Sequence, residues 1–150
     1  MTLIIIGSLA VAAIAIGAII AVTFQQVQHT IISDSAPEVN FVKFGVERQE
    51  LWVGQNTSIL FNVENLEDSV IEDARVVVAI EPEVGNTYLS TSNSTIELPT
   101  LYTNARSGDM TVTITATGTP AMEAVYDVAC TLFAQGTRTE IRQFELTIRQ

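Results

Sequence analysis

Met110-Thr111-Val112-Thr113-Ile114-Thr115-Ala116 alternates apolar and hydroxyl side chains without a break. Successive side chains of a β-strand point to opposite faces, so a period of two puts Met110, Val112, Ile114 and Ala116 on a buried face and the threonines in water. Working outward, the same rhythm recurs along the chain. Val39 and Phe41 are followed by Phe44 and Val46, and the change of phase near Lys43 predicts a bulge. Ile59, Phe61 and Val63 form another set, then Val76, Val78 and Ile80. A looser run surrounds Tyr88, and a short one covers Thr95 to Leu98. On the C-terminal side come Tyr126, Val128, Cys130 and Leu132, then Phe144, Leu146 and Ile148. Turn residues separate these runs at near-regular intervals, and no helical pattern interrupts them.

About seven antiparallel strands over residues 39–150 is the arithmetic of an immunoglobulin-like sandwich. Cys130 is the only cysteine, so an intrachain disulfide is excluded. Its position on an inward face makes it a small buried hydrophobe rather than a reactive thiol.

The N-terminal part reads differently. The first acid is Asp34 and the first base Lys43, and Leu3 to Val22 is almost unbroken Ile, Val, Leu, Ala and Gly. About twenty such residues match the roughly 30 Å hydrocarbon core of a bilayer. The run is too long, and lacks the basic flank, for a cleaved secretory signal. Beyond it, Ile16, Ile20, Phe24, Val27 and Ile31 keep a helical apolar spacing, opposite Gln25, Gln26, Gln28 and His29. This predicts one helix continuing to about Ile32, roughly 45 Å long. Ala13, Gly17 and Ala21 recur every four residues, a spacing that lets helix backbones approach closely. Pro37 breaks the pattern. The chain is therefore expected to be α+β: a single long hydrophobic helix over residues 1–33, a hinge at 34–38 and an Ig-like sandwich over 39–150.

All seventeen acids and seven bases lie after the apolar stretch, and the formal net charge is −10. Nucleic acid as a partner is excluded on this ground, because phosphate neutralisation needs clustered Lys and Arg and here the bases are scattered singly. One histidine, one cysteine, no P-loop and no dinucleotide fingerprint leave no catalytic signature, so no enzyme is expected. No cofactor is expected. Glu64, Glu67, Asp68, Glu72 and Asp73 cluster around one loop, but their spacing matches no calcium-binding loop. His29 lacks metal-ligand partners. Asn56-Thr57-Ser58 and Asn93-Ser94-Thr95 are N-glycosylation sequons, which place Asn56 and Asn93 as candidate glycan sites on an extracellular surface.

Gly54 to Asn65, a glycine-started strand ending in Val63-Glu64-Asn65, followed by the Val-rich run Ala74 to Ile80, resembles the CARDB type of Ig-like domain. Leu98 to Thr117 and the strand entered at Tyr126 are similar to the second half of that domain. The wider layout, an uncharged N-terminal segment joined to a β-sandwich, resembles archaeal type IV pilins and archaellins. Ile5 stands where bacterial pilins carry a glutamate, as in the archaeal members. No basic leader precedes Thr2, so either the chain is the processed form or the resemblance is one of layout alone. The resemblance implies a homo-oligomer: a cell-surface filament held by packing of the N-terminal helices, inserted in the membrane before assembly, with the sandwich outward. Single-span accessory proteins of the archaellum share the layout. They imply an alternative, a membrane-anchored chain whose sandwich binds a surface-layer or other surface partner.

Overall fold

The computed structural model describes residues 28–31, 36–81, 88–120 and 122–149. Two antiparallel sheets face each other. One sheet orders β1 (Gln28–Ile31), β10 (Thr137–Ile148), β9 (Ala124–Ala134), β5 (Ala74–Glu81) and β7 (Thr95–Glu97), with the two-residue β3 (Glu50–Leu51) running parallel to the end of β10. The other orders β2 (Val39–Val46), β4 (Asn56–Asn65), β8 (Met110–Ala116) and β6 (Leu89–Thr91).

The period of two decides which side chains meet between the sheets. Val112, Ile114 and Ala116 of β8 and Ile59, Phe61 and Val63 of β4 are buried against Val76, Val128, Leu132, Leu146 and Ile148 of the opposite sheet. Phe41 packs edge-on to Phe61 and Phe44, with ring centroids 5.8 and 5.4 Å apart. The β2–β4 register shifts between Phe41 and Lys43, at the place where the apolar phase changes. Cys130 is buried in β9.

The α+β expectation is corrected. Among the described residues there is no helix, and the fold is an all-β sandwich. Gln28–Ile31 does not continue a helix to Ile32; it is a strand antiparallel to β10, opposite Glu140 to Gln143. The reason is twofold. The outer edge of β10 offers backbone donors and acceptors that an added strand satisfies. Thr30, Ile31 and Ile32 are also a β-branched run, stiff in a helix and suited to a strand. Ile31 thus belongs to β1. The other helix-packing candidates, Ala13, Ile16, Gly17, Ile20, Ala21, Phe24 and Val27, lie outside the described residues, as do Asp34 and Ser35 of the 34–38 hinge. No helix of the described residues is long and apolar enough to cross a membrane.

Strand directions give the sandwich two ends. At one lie the Glu47–Gln55 connection with β3, the start of β9 and the end of β10. At the other lie residues 66–73 and 99–109 and the Gln135-Gly136 hairpin turn. β1 is antiparallel to β10, with Gln28 opposite Gln143 and Ile31 opposite Glu140. Its N-terminal end is therefore directed towards the first of these ends, the Trp52 end.

Candidate functional site

At the end distal to the direction of β1, Asn65 closes β4 and is fully buried. Its Nδ2 donates to the backbone oxygens of Ser69 at 2.8 Å, Leu101 at 3.0 Å and Tyr102 at 3.3 Å, and its Oδ1 accepts from the Glu67 amide at 2.9 Å. One side chain thereby ties two connections into a single cap. A bridge between Ile71 and Leu101 completes it. The cap holds Leu66, Val70 and Tyr102 outward, Tyr102 being 65% exposed. Residues 66–73 also contain Glu67, Asp68, Glu72 and Asp73 and no base. Bases stand at the rim: Arg106 Nε on Glu64 at 3.2 Å, Lys43 Nζ on Asp109 at 2.9 Å, Arg75 beside Asp73 at 3.5 Å and the exposed Arg138 next to the Gln135-Gly136 turn. The Lys43 and Asn62 hydrogen bonds hold the Asp109 carboxyl below the usual carboxylate range. The surface is acidic with exposed apolar and aromatic groups, a composition suited to docking a protein carrying basic residues.

The acids do not converge on an ion. Among the described residues no group of three or more His, Cys, Asp or Glu side chains is placed to hold a metal. An open cleft of about 360 Å³ lies along β10, lined by Val46 to Glu50, Glu145 and Thr147. Glu47 pairs there with Arg48 at 3.1 Å, and Glu50 with Arg149 at 2.8 Å. The Arg149 hydrogen bond lowers the Glu50 pKa and leaves it a committed anion. The cleft lining holds carboxylates, Arg48 and the Thr147 hydroxyl, with no histidine or cysteine. Its shape and charges give no reason to assign it a reaction.

Asn56 is exposed at the start of β4, where its backbone pairs with Thr115, close to the Trp52 end. Asn93 is exposed in the β6–β7 connection on the flank of the sandwich, and its Oδ1 accepts the Thr95 amide at 3.2 Å. The two are not brought together. His29 lies in β1 opposite Arg142.

Two residues that the sequence does not advertise organise the molecule. Asn65 is one. Glu140 is the other: fully buried, it accepts the Phe41 amide on Oε2 at 2.7 Å and pairs with Arg142 Nε at 2.6 Å. It ties the edge strand β2 of one sheet to β10 of the other. A signal for it existed in retrospect, since Glu140 and Arg142 occupy positions in phase with Phe144, Leu146 and Ile148.

Comparisons with known proteins bear on the fold. No protein-family model matches the chain, and no curated protein does. Among solved structures, the CARDB domain of a Pyrococcus furiosus protein, determined in complex with di-metal ions, aligns over 80% of this chain and 95% of that domain at a TM-score of 0.52 and 15% identity. Native alpha-2-macroglobulin from Escherichia coli, from domain MG7 to the C-terminus, aligns over 78% of this chain and 17% of its own at a TM-score of 0.54 and 12% identity. At such identities the likeness concerns fold. The sandwich is CARDB-like and Ig-like in architecture.

Proposed function

We propose that this protein is a non-enzymatic cell-surface module, held at a membrane by its apolar N-terminal stretch, that presents the Asn65 cap to a protein partner. One observation carries the reading: β1, which follows the apolar stretch, is directed towards one end of the sandwich, while the exposed Leu66, Val70 and Tyr102 stand among acids at the other. Attachment and display are thereby separated by the length of the strands. The two sequons support an extracellular setting.

The filament reading keeps one support, the four-residue spacing of Ala13, Gly17 and Ala21. The extended apolar stripe no longer supports it, because Ile31 sits in a strand on β10.

The test is fractionation of the native cells combined with photo-crosslinking from position 102. The expected result is that the chain stays with membranes after shearing and that the probe at position 102 captures a discrete protein. Recovery of the chain as the main component of sheared helical fibres would replace this reading with the filament one.

A further inference from the structure

The Trp52 end carries apolar groups that the fold does not use. Trp52 to Gln55 is a tight turn in which the Gln55 amide donates to the Trp52 carbonyl at 2.9 Å. Gly54 has φ +80°, the value a type II turn requires at that position. The turn is pinned to β8 by two further bonds, Gly54 N–H to Ala116 O at 2.8 Å and Ala116 N–H to Gln55 O at 2.9 Å. The Trp52 amide is taken by Gln55 Oε1 at 3.1 Å. A turn fixed at this many points holds its side chains in place, and it holds Trp52 and Val53 in solvent, at 53% and 45% exposure. Met122, in the neighbouring connection, is 77% exposed, and Val125 just beyond it 52%.

These groups share one end by register. Leu51, Ile148 and Ala124 lie side by side across β3, β10 and β9, so Trp52, Arg149 and Glu123 form the next row outward. Beside the turn, Arg149 pairs with Glu50 and Glu123 and Arg48 with Glu47, while the exposed Glu81, Asp127 and Glu145 share a row further from the end. The acids of residues 66–73 lie at the opposite end.

We propose that the Trp52–Val53 turn and Met122 form a bilayer-contact surface that seats the sandwich at the lipid headgroup boundary. The inference rests on the membrane attachment proposed above and names the surface that makes the contact. Lipid is the occupant favoured for three reasons. β1 is directed towards this end, and the chain preceding it contains the uncharged apolar Leu3–Val22. Tryptophan is the residue most suited to the membrane–water boundary, its ring apolar and its N–H able to meet a headgroup or water. The acids next to the turn, Glu47, Glu50 and Glu123, are each paired with an arginine, which lessens their repulsion from a membrane surface.

Trp52 is the only tryptophan, so its fluorescence reports on this surface alone. The full chain would be reconstituted in phosphatidylcholine vesicles, floated on a density gradient, and titrated with aqueous iodide and with phosphatidylcholine brominated near the headgroup end of its acyl chains. The expected result is co-flotation, blue-shifted emission, quenching by the brominated lipid and protection from iodide. V53D/M122D, which alters exposed side chains only, should still float yet restore iodide quenching. A chain that floats while Trp52 stays open to iodide overturns the contact and leaves the attachment standing. Protection from iodide without quenching by brominated lipid also overturns it, because another copy of the chain then covers the turn. A chain that does not float overturns the attachment itself.

Discussion

Burial pushes the Cys130 thiol up to about 12, from an ordinary value near 9. An unfolded chain therefore loses this proton in a pH range where the folded chain keeps it. Below about pH 9 both states hold the proton and stability is unaffected; as pH rises through the window to about 12, the unfolded state is progressively favoured. The whole window is worth about 4 kcal/mol. Burial also raises the Tyr126 pKa, an effect of the same sign. Urea denaturation at about pH 8 and about pH 11 should show the midpoint falling, and Cys130→Ala should flatten part of that fall while lowering stability at both values. An identical fall in the variant would mean that Cys130 ionises as readily folded as unfolded. Asn65 marks the limit of what single residues announce. The sequence places it at the end of the glycine-started strand, in Val63-Glu64-Asn65, where a turn asparagine is expected. Its bond to Tyr102 spans 37 positions, and no local spacing encodes that.

Between elements, the contact that decides is Glu140. A buried ion pair broken on one side leaves an uncompensated charge, which costs about 3–5 kcal/mol, whereas replacing both partners by apolar groups is often close to neutral. Glu140→Ala is therefore expected to lower unfolding free energy by about that amount, and by more than Glu140→Leu combined with Arg142→Leu. Chemical denaturation of the two variants measures the difference; equal losses would mean that the carboxylate does not hold β2 against β10. Strands with one face in the core were legible because the period of two is a statement about burial. Ile59, Phe61 and Val63 of β4, Val112, Ile114 and Ala116 of β8 and Tyr126, Val128, Cys130 and Leu132 of β9 are buried as the alternation expects, whereas Met110 is half-buried and the buried Thr57 and Asn65 were not foreseen. β1 and β3 were not legible, since strands of four and two residues are held by backbone pairing and are too short to show an alternation. Helical spacing among Phe24, Val27 and Ile31 competed with the β-branched Thr30-Ile31-Ile32, and the open edge of β10 settled it. A register shift between Arg138 and Glu140 buries Thr139 and Glu140 in succession, so the alternation that runs back from Ile148 to Glu140 breaks there. The β9–β10 hairpin turns on Gln135 and Gly136, both at positive φ, and glutamine is not a residue that advertises such a turn.

On the scale of the whole molecule the two ends differ, and the sequons discriminate between ways of using them. Asn93 sits on the flank, in a short connection between two edge strands, with its sequon exposed at Asn93 and Ser94. Asn56 is one residue from the turn that carries Trp52, and its backbone is engaged with Thr115 of β8. A glycan at Asn56 would stand a bulky, hydrated group beside the exposed indole, where it would keep that end away from any bilayer. If the Trp52 end is seated on lipid, Asn93 alone is expected to be modified. Glycopeptide mass spectrometry of the chain purified from its native membranes reads this directly: the peptide containing Asn93 should carry the added mass and the peptide containing Asn56 should be bare, with Asn93→Gln abolishing the modification and Asn56→Gln leaving it unchanged. A fully occupied Asn56 would turn the orientation around, because the end that bears sugar faces water. The candidate site at this scale was the least legible part of the chain. Opposition of an acidic cap to an apolar turn depends on which strands run up and which run down, and that is fixed by sheet order, a property of the whole fold that no segment carries alone.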